Sequence, residues 1–165
     1  MNTRSKILTR ADLVGRLTEH RSKGGRSHKI VLANGCFDVL HAGHVRYLQA
    51  ARRQGDVLVV AINSDSSTRS LKGAGRPILR APDRAELVAA LRAVDYVLIF
   101  DEPDVRALLR ELRPDVHAKG TDYTLQSVPE RDEAARLGIR VAIVGDPKEH
   151  STRDLIERIR RSSHA

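Results

Sequence analysis

The chain has 165 residues, a formal net charge of +8, 3% aromatic residues and no Trp. That length suits one domain, and 44 Leu, Ile, Val and Phe residues are enough for a packed core rather than a disordered segment. The one cysteine, Cys36, excludes an internal disulfide framework and any multi-cysteine zinc site; no apolar run reaches the roughly 18 residues of a membrane span, and so few aromatic rings argue against a stacking platform for single-stranded nucleic acid.

Residues 1–27 carry seven basic and two acidic side chains. Leu8 to about Arg21 has helical spacing, with Thr9 as N-cap and Asp12 three residues on as an imperfect capping box. Ser22 to Ser27, containing Gly24 and Gly25, reads as a basic turn. The N-terminus lacks the apolar core of a secretory signal, so a cytoplasmic protein with no membrane partner is expected. A main domain follows over residues 28–161, with a short tail at 162–165.

Lys29–Asn34 reads as a short buried strand punctuated by Gly35. Ala42 to Gln54 is helical, with Gly55 expected to end it as a left-handed cap. Asp56–Asn63 holds the run Val57-Leu58-Val59-Val60-Ala61-Ile62, which indicates a strand buried on both faces and so a parallel sheet. Ser64–Leu79 is polar and rich in glycine, and is expected to be a long functional loop. Asp83 to Arg92 is a helix with Leu87, Val88 and Leu91 as its stripe. Asp95–Phe100 is a strand, and Pro103 suits the first turn of a helix running to about Leu112. Pro114–Lys119 is a weaker strand, Glu130–Leu137 a helix closed by Gly138, and Ile139–Val144 another strand. Ser151–Arg161 is a last helix with Ser151 as N-cap.

Strand and helix alternate about five times, which points to an α/β domain: a three-layer, Rossmann-like, doubly wound parallel sheet of about five strands. Such sheets bind ligands beyond the carboxyl ends of their strands. Residues just after each strand are therefore the ones to weigh.

After the first main strand comes Asn34-Gly35-Cys36-Phe37-Asp38-Val39-Leu40-His41-Ala42-Gly43-His44. His41 and His44, three residues apart, can share one face where a helix begins, and that helix end is itself an anion site. Two imidazoles there can donate to phosphate oxygens, while Gly43 lets a ligand approach the backbone. Capping or surface histidines would leave Gly43 and the strand-to-helix position unexplained. A zinc site would need a further ligand cluster, and the spacing matches none of the usual ones. His117 sits at an apolar strand position and reads as structural.

Gly35-Cys36-Phe37-Asp38 followed by His41-Ala42-Gly43-His44 resembles the signature of the HxGH nucleotidylyltransferase superfamily. The resemblance is nearest to the adenylyltransferase domain of ADP-heptose synthesis enzymes, which in some bacteria follows a sugar kinase domain. It runs from about Leu8 to Ile159. It includes Ala33-Asn34-Gly35-Cys36-Phe37-Asp38, Leu71-Lys72-Gly73-Ala74-Gly75-Arg76-Pro77, Asp83-Arg84, Ala93-Val94-Asp95, Lys119-Gly120-Thr121-Asp122-Tyr123 and Ser151-Thr152. Where the family usually has an acidic-Gly-x-Ser-Thr-Thr run, this chain has Lys148-Glu149-His150-Ser151-Thr152-Arg153, which leaves the substrate-side geometry open.

The resemblance implies transfer of a nucleotidyl group from a nucleoside triphosphate, ATP or else CTP, to a phosphorylated sugar such as heptose 1-phosphate. It implies that His41 and His44 contact the triphosphate, with Lys72 closing over it from a mobile loop. Asn34, Gly35, Cys36, Phe37, Gly43, Lys119, Gly120, Ser151 and Thr152 are the expected nucleotide and phosphate contacts. Asp38, Arg76, Arg84 and Asp122 are expected at the substrate or behind the histidines. Cys36 has no adjacent base and the reaction needs no covalent step, so it is not read as a nucleophile. No dedicated metal cage is expected; Mg²⁺ would come with the triphosphate. The resembling family also implies a homodimer.

Three other readings compete. A cytidylyltransferase for glycerol 3-phosphate or another polyol phosphate would share fold and motifs. A nucleotide-binding protein without catalysis would fit the altered 148–153 segment. A basic nucleic-acid-binding module would need a stripe of charge. The excess charge instead sits at the chain ends, since residues 28–152 hold 18 basic and 17 acidic groups. That reading also leaves the histidine pair without a role, so no nucleic-acid partner is expected.

Overall fold

The computed structural model describes residues 2–22, 27–147 and 152–162. Five strands form one sheet: β1 (Ile30–Gly35), β2 (Val57–Asn63), β3 (Tyr96–Phe100), β4 (Val116–Gly120) and β5 (Arg140–Val144). They lie in the order β3-β2-β1-β4-β5, and every pairing is parallel. The chain leaves β1 toward β2 on one side and returns to pair β4 on the other. The switch in strand order therefore falls at β1, where a doubly wound sheet opens a crevice.

Alternation along the strands explains the two cores. Val31, Ala33, Leu58, Val60 and Ile62 point to one face and pack with α2 (Ala42–Arg52) and α4 (Ala81–Ala89) through Leu48, Ala51, Ala85 and Val88. Ile30, Leu32, Val57, Val59 and Ala61 point to the other. There they meet Leu13 and Leu17 of α1 (Arg10–Ser22), Leu108, Leu109 and Leu112 of α5 (Arg106–Leu112), and Ala134 of α6 (Arg131–Arg136). Both faces are covered, which is why β2 reads as an uninterrupted apolar run. Thr9 caps α1 as expected, accepting from the Asp12 N–H at 3.2 Å. No helix among the described residues is long and apolar enough to cross a membrane.

Three aspartates close the amino-terminal edge of the sheet. Asp56 accepts from the Lys29 N–H at 2.8 Å, Asp95 from Leu58 at 2.7 Å and Asp115 from Ile30 at 2.7 Å. Each stands just before a strand and takes up an N–H near the start of its neighbour, where the ladder has no further carbonyl to offer.

Several expectations are corrected. Ser64–Leu79 is not one long loop: Asp65–Lys72 is a helix, α3, and only residues 73–80 remain irregular. Ser64 caps it by accepting from the Ser67 N–H, and Gly73 ends it with φ +94°. Its buried residues, Ser67 and Thr68, are polar, so no apolar stripe marks it. Gly55 is not a left-handed cap. A Cβ there would lie 2.6 Å from the Lys29 carbonyl oxygen and 2.7 Å from Val31 Cγ2, so its place is set by close approach to β1. Pro103 precedes α5 rather than opening it. A short 3₁₀ helix at Thr3–Lys6 was not anticipated; just after it, Ile7 bridges to Val97 of β3.

Candidate functional site

A cleft of about 1290 Å³ opens over the carboxyl ends of the strands. The end of β1 brings Asn34 and Gly35 to it, the following turn Cys36, Phe37 and Asp38, and the start of α2 His41, Gly43 and His44. The 64–80 excursion contributes Lys72 and Arg76. The end of β4 contributes Lys119 and Gly120, followed by Asp122. Thr152 and Arg160 reach it from α7 (Thr152–Ser162). Of the residues expected from the sequence, Ser151 lies outside the described residues, as do Lys148, Glu149 and His150.

His41 is the N-cap residue of α2, with extended backbone angles of −140° and 170°. Its ring stacks on that of His44, with centroids 3.8 Å apart and planes 22° from parallel. Phe37 backs His44 at 5.1 Å. Burial lowers the His44 pKa to about 4, helped by His41 and Lys72, against smaller upward pulls from Asp122 and the Val39 carbonyl. His44 therefore sits near the positive end of α2 with little charge of its own near neutral pH, poised to gain a proton when an anion arrives.

Asp38 is buried and faces the 73–80 loop rather than the histidines. One carboxylate oxygen accepts from the Ile78 and Leu79 N–H groups at 2.6 and 3.1 Å. The other pairs with Arg76 Nε at 2.5 Å. Asp38 thus holds the return of the loop, while Lys72, at the end of α3, stays exposed.

At the β4 side, Lys119 is 5% exposed. Its ammonium lies 3.5 Å from Glu130 Oε2, 3.4 Å from Asn34 Oδ1 and 4.5 Å from the Tyr123 ring centroid. Burial lowers its pKa, and Glu130 opposes that shift. His117, fully buried, places Nε2 3.0 Å from the same Asn34 oxygen. Burial first, then Lys119, lowers the His117 pKa to about 3.

Arg84 does not line the cleft. It is fully buried behind it and contacts backbone carbonyls and Asp65 rather than a ligand space. Other cleft residues were not singled out in advance. Glu130, the N-cap position of α6, read only as a helix-start acid. Asn63, the polar residue closing the apolar run of β2, was a signal of the strand-end kind. Tyr47 donates its hydroxyl to the Ala118 carbonyl at 2.9 Å, and Gly145 packs against its backbone; neither contact has a trace in local spacing. Among the described residues, no group of three or more His, Cys, Asp or Glu is placed to hold a metal ion.

The arrangement offers imidazoles, a helix amino terminus and Lys72 to a polyanion at one end of the cleft. At the other end it offers a neutralised polar cluster. Comparison with known proteins agrees in kind. A family model described as cytidylyltransferase-like matches residues 32–161. The bifunctional protein HldE of Syntrophotalea carbinolica is 46% identical over 155 residues, and that of Pelobacter propionicus 45% over 155; each match covers 94% of this chain and 31% of the relative. The HldE of Pseudomonas fluorescens is 49% identical over 139 residues, 83% of this chain and 29% of the relative. The chain thus spans less than a third of the length of these relatives. The crystal structure of the lipopolysaccharide core biosynthesis protein from Thermoplasma volcanium GSS1 is similar with a TM-score of 0.63 at 27% identity, covering 73% of this chain and 99% of that one.

Proposed function

Because the chain belongs to the cytidylyltransferase-like family, we propose that it is a nucleotidylyltransferase that moves the adenylyl group of ATP onto a sugar 1-phosphate, heptose 1-phosphate being the favoured acceptor. The observation that carries this reading is the His41–His44 stack at the start of α2, inside a cleft that Lys72 and Thr152 also line. Similarity to the HldE proteins and to a lipopolysaccharide core biosynthesis protein, together with the Lys119-Gly120-Thr121-Asp122-Tyr123 segment, supports a sugar acceptor.

An acceptor phosphate oxygen attacks the α-phosphorus. The bond from that phosphorus to the bridging oxygen breaks, and pyrophosphate leaves with the electron pair. The nucleophile is already an anion, so no strong base is needed; positioning and charge neutralisation carry the step. His41 and His44 donate to the phosphate oxygens. Phe37, Cys36 and Thr152 offer backbone N–H groups, and Lys72 adds a point charge from its exposed position. Lys119, partly neutralised by Glu130, faces an uncharged portion of a substrate rather than a second phosphate.

Mg²⁺ bound to the triphosphate would offset charge on the leaving pyrophosphate. The donor set of the cleft fits such a shared ion: single carboxylates such as Asp122 and Asp146 line it, leaving most ligands to phosphate and water. A homodimer and a cytoplasmic location, where ATP is made, complete the reading.

The test is pyrophosphate release with ATP and CTP, each against heptose 1-phosphate and glycerol 3-phosphate. Turnover with ATP and the heptose phosphate is expected. Turnover confined to CTP with glycerol 3-phosphate would favour the cytidylyltransferase alternative, and none with any pair in folded protein would overturn both.

A further inference from the structure

Arg84 is among the largest fully buried side chains of the molecule, and a buried guanidinium needs partners to offset its lost hydration. Its partners come from three separate stretches. Nη1 donates to the Cys36 carbonyl at 2.5 Å, Nε to the Leu79 carbonyl at 2.9 Å and Nη2 to Asp65 Oδ1 at 2.8 Å. The same Asp65 oxygen accepts from the Ala81 N–H at 2.8 Å.

The contact with Cys36 bears on the cleft. The Cys36–Phe37 peptide is trans, so the Phe37 N–H points opposite to the Cys36 carbonyl. That carbonyl points back at Arg84, outside the cleft, while Cys36 and Phe37 themselves line it. Phe37 also has φ +47°, a conformation that a residue with a side chain keeps only when its surroundings impose it. The other two contacts tie down both ends of the excursion that carries Lys72: Asp65 in its first turn and Leu79 at its return.

We propose that Arg84 is a positioning residue for nucleotidyl transfer: from behind the cleft, its grip on the Cys36 carbonyl aims the Phe37 N–H at the triphosphate and fixes the excursion that bears Lys72. This rests on the function proposed above. A planar guanidinium meets these three separated acceptors from three different nitrogens, whereas a lysine's donors all radiate from one.

The experiment compares wild type with Arg84→Lys in the full chain, each assayed well below its own melting temperature. For the lysine variant, kcat for pyrophosphate release is expected to fall about 100-fold, the scale of a misplaced donor, with the acceptor KM nearly unchanged. In parallel, the Phe37 amide is followed by ¹H–¹⁵N NMR during titration with pyrophosphate. It should shift strongly in wild type and weakly in Arg84→Lys. A lysine variant with wild-type kcat overturns the proposal. So does a wild-type Phe37 amide that stays still at saturating pyrophosphate, a measurement that does not depend on the variant folding. A wild type without turnover whose Phe37 amide nevertheless moves would count against the assigned reaction while supporting the role of Arg84.

Discussion

Nε2 of His117, on β4, donates to Oδ1 of Asn34, near the end of the central strand β1, at 3.0 Å. The oxygen it reaches is the one that Lys119 also approaches. With its oxygen so engaged, Asn34 has its amide N–H₂ left to face the cleft. A buried histidine at an apolar strand position thereby orients a cleft residue seven positions before His41.

The burial of His117 has a pH consequence. Its folded pKa of about 3 lies below the ordinary 6.5, so as pH falls from 6.5 the unfolded chain takes up the proton first. The stabilising share is complete above 6.5 and is lost as pH drops through that window. His117→Leu should flatten the decline of the urea midpoint between pH 6.5 and 4. An unchanged slope would contradict the burial argument.

Glu130→Gln should be strongly destabilising. Glu130 is 3% exposed and Lys119 5%, so the variant leaves a buried ammonium without its carboxylate, at a cost of about 3 kcal/mol. Burial already lowers the Lys119 pKa, so deprotonation relieves part of this. The double variant Lys119→Met, Glu130→Gln should recover much of the loss, measured by urea unfolding. A double variant less stable than the single one would argue against an ion pair at this position.

Anion binding should draw in protons. The His44 pKa is lowered to about 4 in the free protein, and a triphosphate alongside raises it. Between about pH 4 and 6.5, binding of ATP should therefore be accompanied by proton uptake. Calorimetry in buffers of different ionisation enthalpy reads this directly, and His44→Asn should reduce it. Proton release in that range would have the wrong sign.

His41→Ala removes half of the stacked pair at the surface of the cleft. Turnover should fall about 100-fold or more, the cost of a lost transition-state donor, with the melting temperature close to wild type. Pyrophosphate release and thermal unfolding measured together give the result; full activity would displace His41 from the chemistry.

Gly55→Ala tests the packing between α2 and the start of β1. The added Cβ would stand 2.6 Å from a backbone carbonyl oxygen, which cannot rotate away. We expect a loss of about 1–3 kcal/mol, typical of overpacking, and no change in kcat. A neutral substitution would mean that the backbone yields there.

The parallel sheet could be read from the residues because period-two burial on two faces leaves a continuous apolar run, as in Val57–Ile62. The histidine turn could be read because Gly43 and two imidazoles fall between strand and helix. Helix α3 could not, since its inward face is made of Ser67 and Thr68, which bury through hydrogen bonds. Gly55 looked like a cap because its close neighbour, Lys29, is distant in sequence. Arg84 was expected at the substrate and Glu130 read only as a helix-start acid for the same reason: the atoms they serve, the Cys36 carbonyl and the Lys119 ammonium, are distant in sequence.

The aspartates at the amino-terminal edge of the sheet divide the molecule's two duties. Asp56, Asp95 and Asp115 fasten strand to strand at the end opposite the cleft. Loops at the cleft end can therefore be lengthened, exchanged or recharged without loosening the clasps that hold the sheet in register. A change of acceptor on this scaffold calls for editing one rim and leaving the other alone.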